Sequence, residues 1–477
     1  MKKSRGICLL LAVVVLLQWV AVPVDGAQTD SLAVLQGCVT LDGQAPLAGS
    51  EQLLDTAKSV ILYELDSDTL VYSWNPDERL DPSGMNKIMT ALLAIEQTAP
   101  EDMVTVTREA LNSVAIGSMS AGLKAGEQLS MKDLLYCMMV GSANDAAAVI
   151  AAHISGDQDT FAALMNTRAA ELGCTDTNFM NANGLSHEQQ YSTARDLAKI
   201  TKAALELPLF VELFGAVEYT VAATEKSEAR EIFTTNYLMS TKTVRNQYDE
   251  RVTGGKTGAL STTDRSLIAT AESGGSRYLS VVMSAKGTVT GNGLSVKTFG
   301  SFEETRALLD IGFEGYAVRQ LLSTDRVMDQ FSVDGGENDV IGRPGANLIA
   351  ALPVDASPLD VTYKCVPGDI KAPLTEGQTI GTVEVWFRDV CVGQCDLIAM
   401  FAVEQPGVYT FNLAPTAAEA ALRAWTTWLL IGGIALLAVV LIWFAVVLIR
   451  HRIRIIKIER RHKLISGEKK KRRRRNA

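Results

Sequence analysis

Three short segments carry side chains that could do chemistry together. Lys256-Thr257-Gly258 follows a pair of glycines and precedes an apolar run. Ser142-Ala143-Asn144, followed by Asp145, lies in an Ala-rich, largely apolar stretch. Lys87 comes shortly after Pro82, with Ser83 and Gly84 between them. Alone, each has an ordinary reading: a tripeptide that recurs by chance, a weak Ser-x-Asn match, a solvated charge near a helix start. Together they offer hydroxyls, amines and a carboxamide. A hydroxyl within hydrogen-bond reach of a lysine amine is a nucleophile–base pair, provided that burial or a second positive charge keeps the amine neutral.

Positioning these groups needs a folded core, and the hydrophobic periodicity supplies one. Residues 59–65 read as a strand, 66–68 as a turn and 69–74 as the returning strand. Residues 88–97 have helical spacing after Pro82. From 131 to 154 the pattern is helical throughout and mostly apolar, which predicts a helix buried on most sides with Ser142 and Asn144 inside it. Residues 161–173 and 193–205 are further helices, 266–271 and 278–283 are strands, and 302–312 is a closing helix. Strands, then helices, then strands and a helix is the α+β pattern, an antiparallel sheet covered by helices. From about 330 to 408 short β-rich runs alternate with Pro/Gly turns, as in a small β-sandwich.

The chain has 477 residues, 47% apolar and 21% charged, a composition that excludes intrinsic disorder, collagen-like repeats and a small disulfide scaffold. Its formal charge of −9 is unevenly spread, because residues 450–477 hold 14 Lys/Arg against 2 Glu. The body is therefore strongly acidic and excludes nucleic acid as a partner. Lys2, Lys3 and Arg5 ahead of an apolar run and small residues up to Gly26 give residues 1–26 the layout of a signal peptide. Residues 27–51 read as a mobile leader. Residues 424–449 are uncharged and long enough to span a bilayer, with Trp425 and Trp428 at the outer edge. The basic tail, 450–477, then stays in the cytoplasm by the positive-inside rule, which places the body outside a membrane that it meets through one helix. Beyond Cys8, six cysteines permit disulfides without fixing a pairing; Cys391 and Cys395 could bridge locally.

The order and spacing of the three segments resemble those of the penicillin-interacting serine enzymes. Within that group the chain is similar to the low-molecular-mass D-alanyl-D-alanine carboxypeptidases, through Lys87-Ile88-Met89-Thr90, Ser142-Ala143-Asn144-Asp145, Asn183-Gly184-Leu185, Tyr191-Ser192-Thr193-Ala194-Arg195-Asp196 and Ser280-Val281-Val282-Met283. The resemblance implies a carboxypeptidase-like domain over residues 52–318, a β-rich domain over 330–410 and a C-terminal membrane anchor. It also implies acyl transfer on peptidoglycan pentapeptides ending in D-Ala-D-Ala, reaction with β-lactams, and no metal or organic cofactor. On this resemblance Lys87 is the base, and Ser142 and Asn144 form the second element. Lys256, Thr257 and Gly258 form the substrate-binding strand.

The nucleophile position departs from the family pattern Ser-x-x-Lys, because the residue three before Lys87 is Gly84. Ser83 is the nearest hydroxyl and, at i to i+4 on a helix, can face Lys87. A shift of one residue turns a side chain by about 100° and moves it about 1.5 Å along the axis. The arginine that family members place after the strand ending at Met283 is also missing, leaving Lys286 and Lys297 as candidate grips for a carboxylate. Two functions follow: a membrane-anchored serine carboxypeptidase with a displaced nucleophile at Ser83, or a non-acylating protein that binds peptidoglycan or an envelope partner. A β-lactamase shares the motifs but accounts for neither the β-domain nor the anchor.

Overall fold

The computed structural model describes residues 41, 44–48, 52, 56–242, 247–290, 296–405 and 417–473. The signal-peptide reading and Cys38 lie outside them. The chain opens with the hairpin β1 (Ser59–Glu64) and β2 (Thr69–Trp74), then a single 3-10 turn, Ser83–Met85, leading into α1 (Asn86–Gln97). Next come β3 (Met103–Thr105), α2 (Arg108–Asn112), β4 (Gln128–Ser130), α3 (Met131–Met139), α4 (Asn144–Ser155) and α5 (Gln158–Glu171). They are followed by α6 (Ala194–Leu205), α7 (Pro208–Gly215), β5 (Glu218–Val221) and β6 (Arg230–Phe233). β7 (Val252–Ala259), β8 (Asp264–Ser273), β9 (Ser276–Lys286), β10 (Thr288–Val289), β11 (Val296–Thr298) and α8 (Gly300–Gly315) complete the first domain.

Its sheet has the order β2-β1-β9-β8-β7, with antiparallel pairs throughout. Alternation along β1 explains the layering. Ile61 and Tyr63 pack on one face with α1 and α3 to α6, whereas Val60 and Leu62 pack on the other with Phe302, Leu308 and Leu309 of α8. A strand that is apolar on both faces must lie between two helical layers, and all six residues of β1 are buried. β7 is left at the edge, with one row of main-chain groups unpaired by the sheet.

Some expectations are corrected. The helix anticipated over 131–154 is two helices, α3 and α4, with a break at residues 140–143, where Ser142 has a left-handed backbone (φ 57°). The apolar periodicity runs on through the break, so pattern alone does not reveal it. Ser130 caps α3 by accepting from the Asp133 N–H, and Thr193 caps α6 by accepting from the Asp196 N–H. Part of the segment expected to be a mobile leader is held against β2: the Leu47 and Ala48 N–H groups donate to the carbonyls of Leu70 and Val71, and Gln44 bonds Asp68 and Leu70.

The β-rich region contains β12 (Tyr316–Leu322), β13 (Gln330–Phe331), β14 (Val340–Pro344), β15 (Leu348–Pro353), β16 (Val361–Pro367), β17 (Thr379–Phe387) and β18 (Val390–Ala399). β12 pairs with β15, and the second sheet runs β13-β14-β18-β17-β16. The two share a core built on Leu322, Leu348, Leu352, Val383, Val385 and Leu397, the sandwich anticipated from the sequence. Cys365, Cys391 and Cys395 are in no disulfide, so the local bridge considered for the last two is not formed. α9 (Ala417–Arg473) is a separate unit whose stretch Ala421–Ile458 is long and apolar enough to cross a membrane.

Candidate functional site

The site forms where the turn before α1, the break between α3 and α4, the 183–185 loop and the edge strand β7 converge. Ser83, Gly84, Lys87, Ser142, Asn144, Thr257 and Gly258 line one cleft of about 210 Å³, together with Met119, Asn183, Gly184, Leu185, Thr235, Ala259 and Arg265. Lys256 stands behind its wall and reaches it through Ser142. A larger cavity of about 700 Å³ lies elsewhere, among Lys202, Phe214, Thr253 and Glu272, and its lining includes no motif residue.

The Lys87 side chain is 1% exposed. Its amine donates to Asn144 Oδ1 at 2.7 Å and to the Asn183 carbonyl. Burial, and secondly the nearby Lys256 charge, hold its pKa well below the ordinary lysine value, against an opposing pull from Asp145. Lys256 donates to Ser142 Oγ at 2.8 Å and to the Thr257 carbonyl at 3.1 Å, and burial brings its pKa down to about 7. The Thr257 hydroxyl meets that of Thr235 at 2.5 Å. Asp145 fixes the loop over the break by accepting from Ser120 Oγ at 2.6 Å and from the Ala121 and Leu123 N–H groups. The Asn144 N–H donates to the Met119 carbonyl at 2.8 Å.

Gly84 occupies the place from which a side chain would enter this group. A β-carbon built there lies 3.7 Å from Ser142 Oγ, so a hydroxyl at 84 would stand among Ser142 and the Lys256-Thr257-Gly258 strand. The same β-carbon would be 2.8 Å from the Thr257 carbonyl, closer than ordinary contact, so β7 lies nearer to residue 84 than a side chain permits.

Ser83 faces a different way from the approach to Lys87 that helical spacing allows. It begins a 3-10 turn with a left-handed backbone (φ 51°). Its N–H donates to Asp81 Oδ1 at 2.8 Å. Its carbonyl lies against Gly184, where a β-carbon would come within 1.8 Å of it, an approach only glycine allows. Held from both sides, Ser83 sends its hydroxyl to β7, where it accepts from the Ala259 N–H and donates to the Ala259 carbonyl, both at 2.9 Å. The hydrogen bonds of Lys87 go instead to Asn144 and Asn183.

Sequence reading missed Thr235 and Arg265. Arg265 sits on β8 opposite Ala259, lines the cleft, and is half-buried with its guanidinium 5.2 Å from the Phe299 ring centroid. It puts a cation on the cleft wall, whereas Lys286 and Lys297 are exposed. The signal that could have found it is register: a hairpin turn after Gly258 returns the chain beside Ala259 at Arg265.

The family model described as D-alanyl-D-alanine carboxypeptidase matches residues 48–287. Among curated relatives, D-alanyl-D-alanine carboxypeptidase DacC of Escherichia coli is 29% identical over 364 residues, covering 74% of this chain and 86% of the relative. DacF of Bacillus subtilis is 28% identical over 367 residues, covering 76% and 90%. The crystal structure of penicillin binding protein 5 from Haemophilus influenzae superposes with a TM-score of 0.60 at 27% identity, over 75% of this chain and all of that one. Penicillin binding protein 6B from Escherichia coli gives 0.55 at 26%, over 74% and 99%. With the family model matched over half of its length and two solved penicillin-binding proteins sharing its fold, the chain belongs to the D-alanyl-D-alanine carboxypeptidase family of low-molecular-mass penicillin-binding proteins.

Proposed function

We propose that this protein binds peptidoglycan stem peptides ending in D-Ala-D-Ala and forms no acyl-enzyme with them. The observation that carries the reading is Gly84. The position facing Ser142 has no side chain, and the adjacent hydroxyl of Ser83 is committed to Ala259 rather than to an amine. A serine ordinarily ionises far above neutral pH and needs a base in contact with it to attack. Lys87, the buried amine suited to that task, is engaged with two amide oxygens.

What supports binding is the assembly of the other motif residues. Lys87, Ser142, Asn144, Lys256, Thr257 and Gly258 remain assembled, and keeping two buried amines costs stability that a purely structural role would not require. Arg265 adds a cation suited to a terminal carboxylate. The apolar stretch of α9 anchors the chain in the membrane, and the basic residues after it keep the tail inside and the folded body on the outer side, where the wall is.

The test is equilibrium binding of diacetyl-Lys-D-Ala-D-Ala to the full chain in detergent, with intact-mass spectrometry after incubation with benzylpenicillin. Saturable binding of the peptide without a covalent penicillin adduct is expected. An adduct lost on Ser83→Ala would instead establish a carboxypeptidase with a displaced nucleophile.

A further inference from the structure

A peptide bound in this cleft would lie beside an edge strand. β7 pairs with β8 on one side only, and in an antiparallel ladder alternate residues direct both main-chain groups outward. Ala259 is such a residue, since its N–H and its carbonyl both meet Ser83 rather than β8. Thr257 is the next, but its carbonyl already accepts from Lys256. The Ala259 pair is thus the part of the edge where a peptide main chain would add by strand pairing. The Ser83 hydroxyl already occupies it, donating and accepting as the main chain of a paired residue does.

Resting on the reading above that the cleft takes a peptide, we propose that Ser83 is an internal competitor for that ligand. Its hydroxyl caps the Ala259 edge and must be displaced before a D-Ala-D-Ala peptide can pair there, so residue 83 sets the affinity of the cleft. The cap is built rather than incidental. Ser83 is 4% exposed, its left-handed backbone is uncommon for a non-glycine residue, and Gly184 and Asp81 hold it in place.

The experiment is titration of the full chain in detergent with diacetyl-Lys-D-Ala-D-Ala, comparing the parent with Ser83→Ala and Ser83→Gly. The glycine variant accepts the left-handed backbone without strain and guards against a folding defect in the alanine variant. Removing a competing hydroxyl worth about one net hydrogen bond is expected to tighten binding about tenfold in both. Measurable binding by the parent with equal or weaker binding by both variants would overturn the cap while leaving the binding reading intact. No binding by any of the three would overturn both.

Discussion

The Lys256 amine donates to the Ser142 hydroxyl at 2.8 Å, with the amine buried and the hydroxyl on the cleft wall. This contact makes the site sensitive to pH near neutrality. Burial depresses the Lys256 pKa to about 7, so the group is mostly charged at pH 6 and mostly neutral by pH 8.5. A bound carboxylate favours the charged form. Affinity for a D-Ala-D-Ala peptide should therefore fall as pH rises through this window, by a few-fold, while the same peptide with a C-terminal carboxamide shows a flat profile. Isothermal titration at several pH values checks both, and Lys256→Met should flatten the carboxylate curve.

Arg265, on β8 beside the strand that carries Lys256, should act on the same carboxylate. Arg265→Gln is expected to weaken the free-acid peptide by about tenfold, the scale of one charge-assisted hydrogen bond, and to leave the carboxamide peptide unchanged. An equal loss for both peptides would mean that the arginine only packs against Phe299.

Gly184 carries the backbone geometry of the site. A methyl group there would lie 1.8 Å from the Ser83 carbonyl, at a φ of 77°. Gly184→Ala should destabilise the protein by roughly 3 kcal/mol, through overpacking and left-handed strain together. Chemical denaturation measures it. Gly117→Ala, whose β-carbon meets open space at a similar φ, should cost only the left-handed strain, so the difference between the two isolates the steric part.

The motif segments and the layers of the fold were legible because they are local. A buried strand such as β1, a capped helix such as α6 and a contiguous Lys256-Thr257-Gly258 declare themselves over a few residues. The direction of the Ser83 hydroxyl was not legible. Helical spacing lets it face Lys87, but its backbone is set by Gly184, about a hundred residues away in the chain. The break at Ser142 was hidden for a related reason: Gly141 and the alanines around it leave the apolar periodicity unbroken, and the left-handed turn is held by Cys137 and Met119 carbonyls. Arg265 became visible only through the register of β7 against β8.

Restoring the missing hydroxyl should take two changes rather than one. At Gly84 a β-carbon meets the Thr257 carbonyl at 2.8 Å, and the paired bonds from Ser83 to Ala259 hold β7 in that close position. Gly84→Ser alone should acylate slowly. Ser83→Ala with Gly84→Ser frees the strand to retreat and should acylate at least about tenfold faster, the scale of one released hydrogen bond.

The most direct test of the central claim is intact-mass spectrometry of the full chain after incubation with benzylpenicillin, run on the parent and on the Ser83→Ala/Gly84→Ser double variant. If Gly84 denies the cleft its nucleophile and the Ser83 bonds crowd that position, the parent stays at its unmodified mass and the double variant gains a single penicilloyl adduct. An adduct on the parent would contradict the account.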